Sequence, residues 1–544
     1  MSNDLFFSFI TSLLICMALI PPLRFLADRF HFMDQPGERK VHQHPIPRVG
    51  GIAFAIGALG SILWWGPKDN TTLAVLLGGL IIVGFGVWDD RANLGYRIKL
   101  LGQLAAAFAV MIIGGIRFES IPFLLDAELP MWIGIPVTVL FFVAVSNAVN
   151  LTDGLDGLAG GLSFLTFCGI AYLAYLSKNS TVLLLTVPFL GGLLGFLRYN
   201  TYPARIFMGD CGSQLLGFMM GVLAILLTGS TTGPFSPALA LFLLGLPFLD
   251  TLGVIGQRLA EGRSPFIGDR KHLHHKLMTV GLSHYEAVTV IYALQAGMVG
   301  LAYLLRWQSD TLIVSLYLIL AGAVLALFVA AGHGLIPSPA PQSVRVRSNR
   351  WLSHFLSGPW FRDVPIRFLA AVVPLFLIGT VFLPAQVPDD VGYISAALFC
   401  IVLVGLFFLP RLAPYFVRGG LYMGSTFLFY FSDVSWMQAI PLIKMSYYFL
   451  FGSIAAMALL SMRFDSQSRF RTTPLDYLVV CLAIIFPFLP EVSIDISTFG
   501  LFVAKLIVLF FSFELLLHAF ADRVRQLGLV SLWVLFGLGV RMWL

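Results

Sequence analysis

Two adjacent acids and a following lysine form the first group of residues suited to phosphate chemistry. Asp89 and Asp90 end one apolar run, and Lys99 lies at the start of the next. Adjacent carboxylates at a helix C-terminus feel their mutual repulsion and the negative end of the helix dipole, so they favour a nearby cation. The pair therefore suits a general base or a metal site, with Lys99 as the cation or a phosphate contact. A pair of solvated acids at a membrane surface is the alternative.

A second group lies in the segment NAVNLTDGLDGLAGG. Asn150, Asp153 and Asp156 recur at about one helical turn, among glycines that let a ligand or a second backbone approach closely. The segment leads into another apolar run, and the free N–H groups at a helix N-terminus favour phosphate. These residues suit a metal-bridged diphosphate, and a glycine-rich packing seam between helices is the alternative.

A lone acid, Asp210, precedes a further apolar run in the segment RIFMGDCGSQLLG. Mg²⁺ binds few protein carboxylates and completes its shell with water and substrate phosphate, so one aspartate is enough. We predict a Mg²⁺ site here, with Mn²⁺ as the alternative metal. A simple helix cap is the other interpretation of Asp210.

Basic residues concentrate in the segment RLAEGRSPFIGDRKHLHHK, which contains Arg263, His272, His274 and His275. Such a loop suits a nucleotide diphosphate. Zinc is not favoured, because the HxHH spacing lacks a matching distant ligand pair. A basic loop that only faces lipid headgroups is the alternative.

An earlier basic segment, ERKVHQHPIPRVGG, contains Arg39, Lys40 and Arg48. Its prolines and glycines predict a fixed loop, and its basic residues suit a phosphate at the membrane surface. Ordinary positive charge flanking a span explains the segment equally well.

The elements that carry these five segments are apolar runs long enough to cross a bilayer, which takes about 20 residues each. In the first 332 residues we predict about eleven spans, at residues 5–27, 50–66, 71–88, 99–117, 131–147, 158–177, 182–197, 214–229, 235–255, 286–305 and 311–332. Because successive crossings alternate in direction, all five segments fall on one face of the membrane.

Charge indicates which face this is. All but seven of the 34 Lys and Arg residues fall on the face of the five segments; the seven are Lys68, Arg117, Lys178, Arg306, Lys444, Lys505 and Arg541. Since Lys and Arg concentrate in cytoplasmic loops, we predict that the segments are cytoplasmic. A content of 58% hydrophobic and 11% charged residues excludes an ordinary soluble domain.

The predicted fold class is therefore all-α, a polytopic integral membrane protein in three parts. Residues 1–332 form one module, and residues 333–367, rich in Pro, Ser and Arg, form a basic cytoplasmic linker. Residues 368–544 form an additional membrane domain of unknown function with about seven further apolar helices. In that domain Glu514 and His518 lie one helical turn apart, which suggests a pair.

Acids, a predicted Mg²⁺ site and basic loops on one membrane face indicate phosphoryl transfer between a soluble nucleotide and a membrane-bound acceptor. The five segments, in order over residues 1–332, resemble those of the polyprenyl-phosphate N-acetylhexosamine-1-phosphate transferases of glycosyltransferase family 4. The resemblance implies that N-acetylhexosamine-1-phosphate passes from a UDP-N-acetylamino sugar to polyprenyl (undecaprenyl) phosphate. UMP is released, and the product initiates a lipid-linked glycan.

The resemblance also implies a role for each candidate residue. Asp89 and Asp90 are catalytic, with Asp89 the candidate base, and Asp210 is the Mg²⁺ ligand. The substrate-binding residues are Lys99, Asn150, Asp153, Asp156, Arg263, His272, His274 and His275, and the lipid-phosphate-binding residues are Arg39, Lys40 and Arg48.

The stretch GRSPFIGDRKHLHH is more similar to the branch that uses UDP-GlcNAc or related sugars than to the peptidoglycan branch, so we expect a GlcNAc-like donor. Bacillosamine-type, FucNAc-type and GalNAc-type donors stay open. A phospho-MurNAc-pentapeptide transferase is the alternative enzyme. A non-catalytic lipid-phosphate or sugar transporter is the alternative class, although charges clustered at one interface favour an enzyme. The expected location is the bacterial inner membrane with the site facing the cytoplasm. No nucleic-acid partner is expected, and a homodimer stays open.

Overall fold

Helices dominate the chain. The computed structural model describes residues 2–35, 44–121, 129–229, 234–264, 272–332, 359–382, 387, 389–410, 413–435, 441–464, 499–519 and 524–541. Within these residues, ten helices are long and apolar enough to cross a membrane. The sheet in this part of the chain has only two short strands. The prediction of an all-α, polytopic membrane protein is confirmed.

The helices fall into two compact units. The first unit contains α1 (Ser2–Leu26), β1 (Met33–Asp34), β2 (Ile46–Pro47), α2 (Gly50–Trp65), α3 (Asn70–Ala92), α4 (Tyr96–Gly114), α5 (Met131–Thr152), α6 (Leu158–Leu176), α7 (Ser180–Asn200), α8 (Gly209–Thr228), α9 (Leu239–Leu243), α10 (Gly245–Ala260), α11 (Leu273–Thr279), α12 (His284–Leu304) and α13 (Asp310–Gly332). The second unit contains α14 (Pro359–Thr380), α15 (Asp389–Phe408), α16 (Ala413–Ser435), α17 (Pro441–Phe464), α18 (Phe499–Ala519) and α19 (Val524–Val540).

Helix α8 lies at the centre of the first unit. Of its most apolar stretch 94% is buried, the largest share among the ten candidate spans of the described residues. It packs against α3 and α5. A Cβ placed on Gly86 of α3 would come within 2.4 Å of the Cys211 Cα of α8, so only glycine allows this approach. The C-terminal end of α3 and the N-terminal end of α8 are thereby held together.

The two short strands, which were not predicted, lie in the described parts of the connection between α1 and α2. They pair antiparallel, with Met33 opposite Pro47. The Phe207 N–H donates to the Pro47 carbonyl at 2.7 Å, and the Gly50 N–H donates to the Phe207 carbonyl at 2.9 Å. These bonds tie the α1–α2 loop to the segment before α8, so Arg48 is carried to the start of that helix.

The predicted single span at residues 235–255 is instead two helices, α9 and α10, that meet at Leu244. The fully buried side chain of Gln295 from α12 lies at the break. Its Nε2 donates to the Leu243 carbonyl at 2.9 Å, and its Oε1 accepts from the Leu246 N–H at 3.0 Å. Because a break in an apolar environment frees backbone groups that need partners, Gln295 makes this break tolerable.

The second unit has its own apolar core, which includes Phe376, Phe429 and Leu535. In this unit Glu514 lies 3.0 Å from the Arg418 Nε and accepts the Tyr422 hydroxyl, and both partners lie on α16. The side chain of His518, its predicted partner, lies outside the described residues. Six helices are described here, and since residues 465–498 are outside the description, the number of about seven stays a prediction.

Candidate active site at the ends of three helices

Three charged side chains from three helices meet in an ion cluster. The Lys99 Nζ, near the start of α4, lies 2.5 Å from the Asp89 Oδ2 at the end of α3 and 2.7 Å from the Asp210 Oδ2 at the start of α8. The Asp89 side chain is 2% exposed, whereas those of Lys99 and Asp210 are 29% and 32% exposed. Lys99 and Asp210 are therefore the members of this cluster that a ligand can reach.

Asp89 is engaged on both oxygens. Its Oδ2 faces Lys99, and its Oδ1 accepts the Leu94 N–H at 2.7 Å. Leu94 follows Asn93, which ends α3 in the left-handed conformation at φ 48°. Asp89 thus closes the α3–α4 turn while its other oxygen faces the lysine.

Asp90 points away from Lys99, as expected for successive residues on a helix, which lie about 100° apart. Its carboxylate accepts the Asp210 N–H at 2.8 Å and the Cys211 N–H at 3.0 Å. These are free N–H groups at the start of α8. Gly209 has φ +72°, and a Cβ there would lie 2.6 Å from the Asp90 carboxylate. Asp90 therefore fixes the backbone from which Asp210 projects.

A ladder of amides continues from the ion cluster into the helix bundle. The Asn147 Nδ2 donates to the Gln103 Oε1 at 2.9 Å, and the Gln103 Nε2 donates to the Gln214 Oε1 at 3.2 Å. Beside it, Ser213 donates to the Asn150 Oδ1 at 2.5 Å. Sequence reasoning missed the roles of Gln103, Ser213 and Gln214. The available signal was their spacing, because Gln103 lies four residues after Lys99, and Gln214 four after Asp210.

The turn between α5 and α6 brings two further acids to this region. Burial first, and then the charges of Asp210 and Asp156, raise the pKa of Asp153 to about 7, whereas Arg48 acts in the opposite direction. Asp153 therefore lies within electrostatic reach of the ion cluster. The Asp156 Oδ2 accepts the Ala204 N–H at 2.9 Å, which ties this turn to the segment before α8.

The histidine segment, residues 272–275, covers that turn. A Cβ on Gly154 would lie 2.4 Å from the His274 Nε2, so the imidazole rests directly on the glycine. Burial, together with the neighbouring His275, His272 and His284, lowers the pKa of His274 to about 3. His274 is thus neutral near pH 7 and packs on this turn. Its contact with the substrate stays a prediction.

The remaining predicted residues, apart from His272 and His275, divide into three cases. Arg48 forms an ion pair with the buried Asp34, and its charge reaches Asp153. Arg263 is exposed and lies 3.6 Å from the Glu261 carboxylate. Arg39 and Lys40 lie outside the described residues.

The charge of the cluster suits a divalent cation, but the part of the chain that the structure describes does not supply a complete set of metal ligands there. Among the described residues, no group of three His, Cys, Asp or Glu side chains could hold a metal. Two carboxylates, Asp89 and Asp210, stand against the single cation Lys99, which leaves an anionic excess. An anionic diphosphate would be repelled there unless a cation accompanied it. Mg²⁺ binds in this way, by one or two carboxylates plus substrate oxygens.

The fold and the site define a multi-pass membrane protein with an acidic, lysine-linked cluster at the ends of its helices. The sequence profile of Glycosyl transferase family 4 matches residues 72–228. This range holds α3 to α8 and all three members of the ion cluster. Arg48 and the histidine segment lie outside it.

Curated relatives extend the similarity over more of the chain. It is 36% identical over 331 residues to the "Probable undecaprenyl-phosphate N-acetylglucosaminyl 1-phosphate transferase" of Bacillus subtilis (strain 168), covering 60% of this chain and 92% of the relative. It is 33% identical over 316 residues to the "Decaprenyl-phosphate N-acetylglucosaminephosphotransferase" of Mycobacterium tuberculosis (strain H37Rv), covering 52% and 78%. It is 29% identical over 277 residues to the "Undecaprenyl-phosphate alpha-N-acetylglucosaminyl 1-phosphate transferase" of Escherichia coli (strain K12), covering 49% and 75%.

The chain belongs to the family of polyprenyl-phosphate N-acetylglucosamine-1-phosphate transferases, within glycosyl transferase family 4. The family resemblance stated from the five sequence segments is confirmed.

Proposed function

We propose that the protein transfers N-acetylglucosamine-1-phosphate from UDP-GlcNAc to polyprenyl phosphate, with release of UMP, in a Mg²⁺-dependent reaction. The observation that carries this proposal is the convergence of Asp89, Lys99 and Asp210 from three helices within the family-matched range. The donor is inferred from the names of the relatives, which specify N-acetylglucosamine. Those names lend no support to the phospho-MurNAc-pentapeptide or transporter alternatives.

In the proposed step, a phosphate oxygen of the lipid attacks the sugar-side phosphorus of UDP-GlcNAc. The bond from that phosphorus to the bridging oxygen breaks, and UMP leaves with this oxygen. The reaction depends on positioning and on charge, since little covalent chemistry falls to the protein. Lys99, held by two carboxylates and partly exposed, is placed to bind a phosphate oxygen.

The remaining residues hold this arrangement. Asp90 fixes the start of α8, so that Asp210 projects towards Lys99. Asn150, through Ser213, holds α5 against α8, and the adjoining α5–α6 turn carries Asp153 to the donor side. Asp210 would hold Mg²⁺, which would supply the positive charge that neutralises the diphosphate and stabilises UMP as the leaving group. A phosphate monoester is already partly dianionic near neutral pH, so Asp89 is assigned charge positioning.

We place the enzyme in the bacterial inner membrane with this site at the cytoplasmic face. The excess of Lys and Arg on the side of the motifs supports that orientation. The soluble donor is then available from the cytoplasm, and the lipid phosphate from the bilayer.

The test is an assay of purified protein with undecaprenyl phosphate, Mg²⁺ and a panel of UDP-GlcNAc, UDP-GalNAc and UDP-MurNAc-pentapeptide, with UMP release as the readout. UMP should form with UDP-GlcNAc, stop on chelation of Mg²⁺, and fall by about 100-fold or more in Asp210→Ala. Asp69→Asn is the control, because Asp69 caps the opposite end of α3 from Asp89. Absence of UMP from every donor, with folded protein and supplied lipid, contradicts the proposal.

A further inference from the structure

Asp250 on α10 directs both carboxylate oxygens to the start of the histidine segment. Its Oδ2 lies 2.9 Å from the His272 Nδ1, and its Oδ1 accepts the Leu273 N–H at 2.8 Å. The side chains of Asp250 and His272 are only 9% and 7% exposed. None of the five sequence segments contains Asp250.

These contacts determine which ring nitrogen of His272 carries the proton. An ionised carboxylate only accepts hydrogen bonds, so the His272 Nδ1 carries the proton and donates it. In the neutral ring the Nε2 is then the hydrogen-bond acceptor. A carboxylate that accepts the Nδ1–H commonly orients a histidine in this way. The bond to the Leu273 N–H fixes the backbone at the same point.

The histidine segment transmits this position to the α5–α6 turn. The rings of His272 and His274 are parallel within 6°, with centroids 6.1 Å apart. The His274 ring in turn rests on Gly154, between Asp153 and Asp156. Asp250 therefore links α10 to the turn that carries the donor-side acids.

We propose that Asp250 is a positioning residue for the transfer reaction, which holds His272 in its Nδ1–H form and anchors the histidine segment over the donor-binding turn. This inference rests on the proposed function, because that function places the donor diphosphate at the turn. Asp250 acts through His272, and it is not assigned contact with the reacting atoms.

The kinetic test is Asp250→Asn, which keeps an oxygen for the Leu273 N–H but presents the wrong partner to His272. We expect kcat/KM for UDP-GlcNAc to fall about tenfold or more, with KM for the lipid changed less than about twofold. In a His272→Gln background, Asp250→Asn should cost less than about twofold further, since both changes remove one interaction. Asp69→Asn is the matched control. Unchanged kinetics in Asp250→Asn, equal effects on both substrates, or fully multiplicative losses in the double variant overturn the proposal.

A second readout does not depend on activity. Hydrogen exchange of the backbone amides of residues 272–279 should be faster in Asp250→Ala than in the wild type, because the Leu273 N–H loses its acceptor. Unchanged exchange overturns the anchoring role. Inactivity of the wild type on every donor would defeat the proposed function instead, and the exchange experiment would still decide whether Asp250 anchors the segment.

Discussion

The Lys99 Nζ lies 2.7 Å from the Asp210 carboxylate, although 111 residues separate the two in the chain. The same Nζ lies 2.5 Å from the Asp89 carboxylate. One cation therefore offsets two acids on separate helices, and it joins the ends of α3, α4 and α8. Binding of a substrate phosphate at Lys99 would weaken the ion pairs of Lys99 with both acids.

Replacement of Lys99 by methionine should abolish activity and lower stability. The two carboxylates then repel each other, and one of them is buried without its cation. We expect UMP release to fall by about 100-fold or more, and the free energy of unfolding by about 2 kcal/mol, less than for a fully buried pair because Lys99 is 29% exposed. The measurements are UMP release and thermal unfolding in detergent. Lys68→Met, at an exposed lysine on the other face, is the control; equal activity of the two variants would contradict the assignment.

Asp90 should matter through the backbone of α8. Asp90→Ala leaves the Asp210 and Cys211 N–H groups without their acceptor, at a cost of about 2 kcal/mol. Asp90→Asn keeps one acceptor oxygen and should cost about half as much. Thermal unfolding should therefore rank the wild type above Asp90→Asn, and that variant above Asp90→Ala. Identical unfolding temperatures for the three proteins would show that this cap does not stabilise α8.

His274 should make the protein less stable in acid. Its pKa is lowered to about 3 in the folded state, by burial and by His275, His272 and His284. The unfolded chain, with an ordinary histidine pKa, binds a proton first as the pH falls, so stability is lost below about pH 6.5. Between about pH 7.5 and about pH 5 this amounts to about 2 kcal/mol. Unfolding temperatures measured at both pH values should differ less in His274→Gln than in the wild type, and an equal difference would rule out His274 as the source.

Gln295 should be needed where α9 gives way to α10. Gln295→Leu keeps a side chain of similar size but leaves the Leu246 N–H without its acceptor, and the Leu243 carbonyl with the Thr166 hydroxyl as its side-chain donor. We therefore expect a loss of about 2 kcal/mol. Gln257→Leu is the control, since Gln257 is exposed on α10 and donates to Glu261. Thermal unfolding that does not distinguish the two variants would refute the role of Gln295.

The membrane fold was predictable because apolar length and one-sided charge are local properties of a sequence. The break near Leu244 was missed, although Gly245 and Pro247 follow it directly in the sequence. Its partner, Gln295, lies on another helix and could not be assigned from the sequence. The pairing of β1 with β2 was missed because each strand has only two residues, too few to show a strand pattern in the sequence.

The acids of the site were predictable by residue type and spacing, but the different contacts that each acid makes were not. Asp89 and Asp90 are neighbours in sequence, yet one holds Lys99 and the other holds the backbone of α8. The burial that keeps His274 neutral depends on the fold and could not be inferred from the basic residues around it in the sequence. Asp250 lies in an apolar run, and only the fold brings it to His272.

The central claim is that sugar-1-phosphate moves as a unit to the lipid. The most direct measurement uses UDP-GlcNAc labelled at the sugar-side phosphorus, incubated with the protein, undecaprenyl phosphate and Mg²⁺. We expect the label in the lipid extract and unlabelled UMP in the aqueous phase. Label retained in UDP would mean transfer of the sugar alone, and label left in UDP-GlcNAc would mean no transfer; either result would contradict the account.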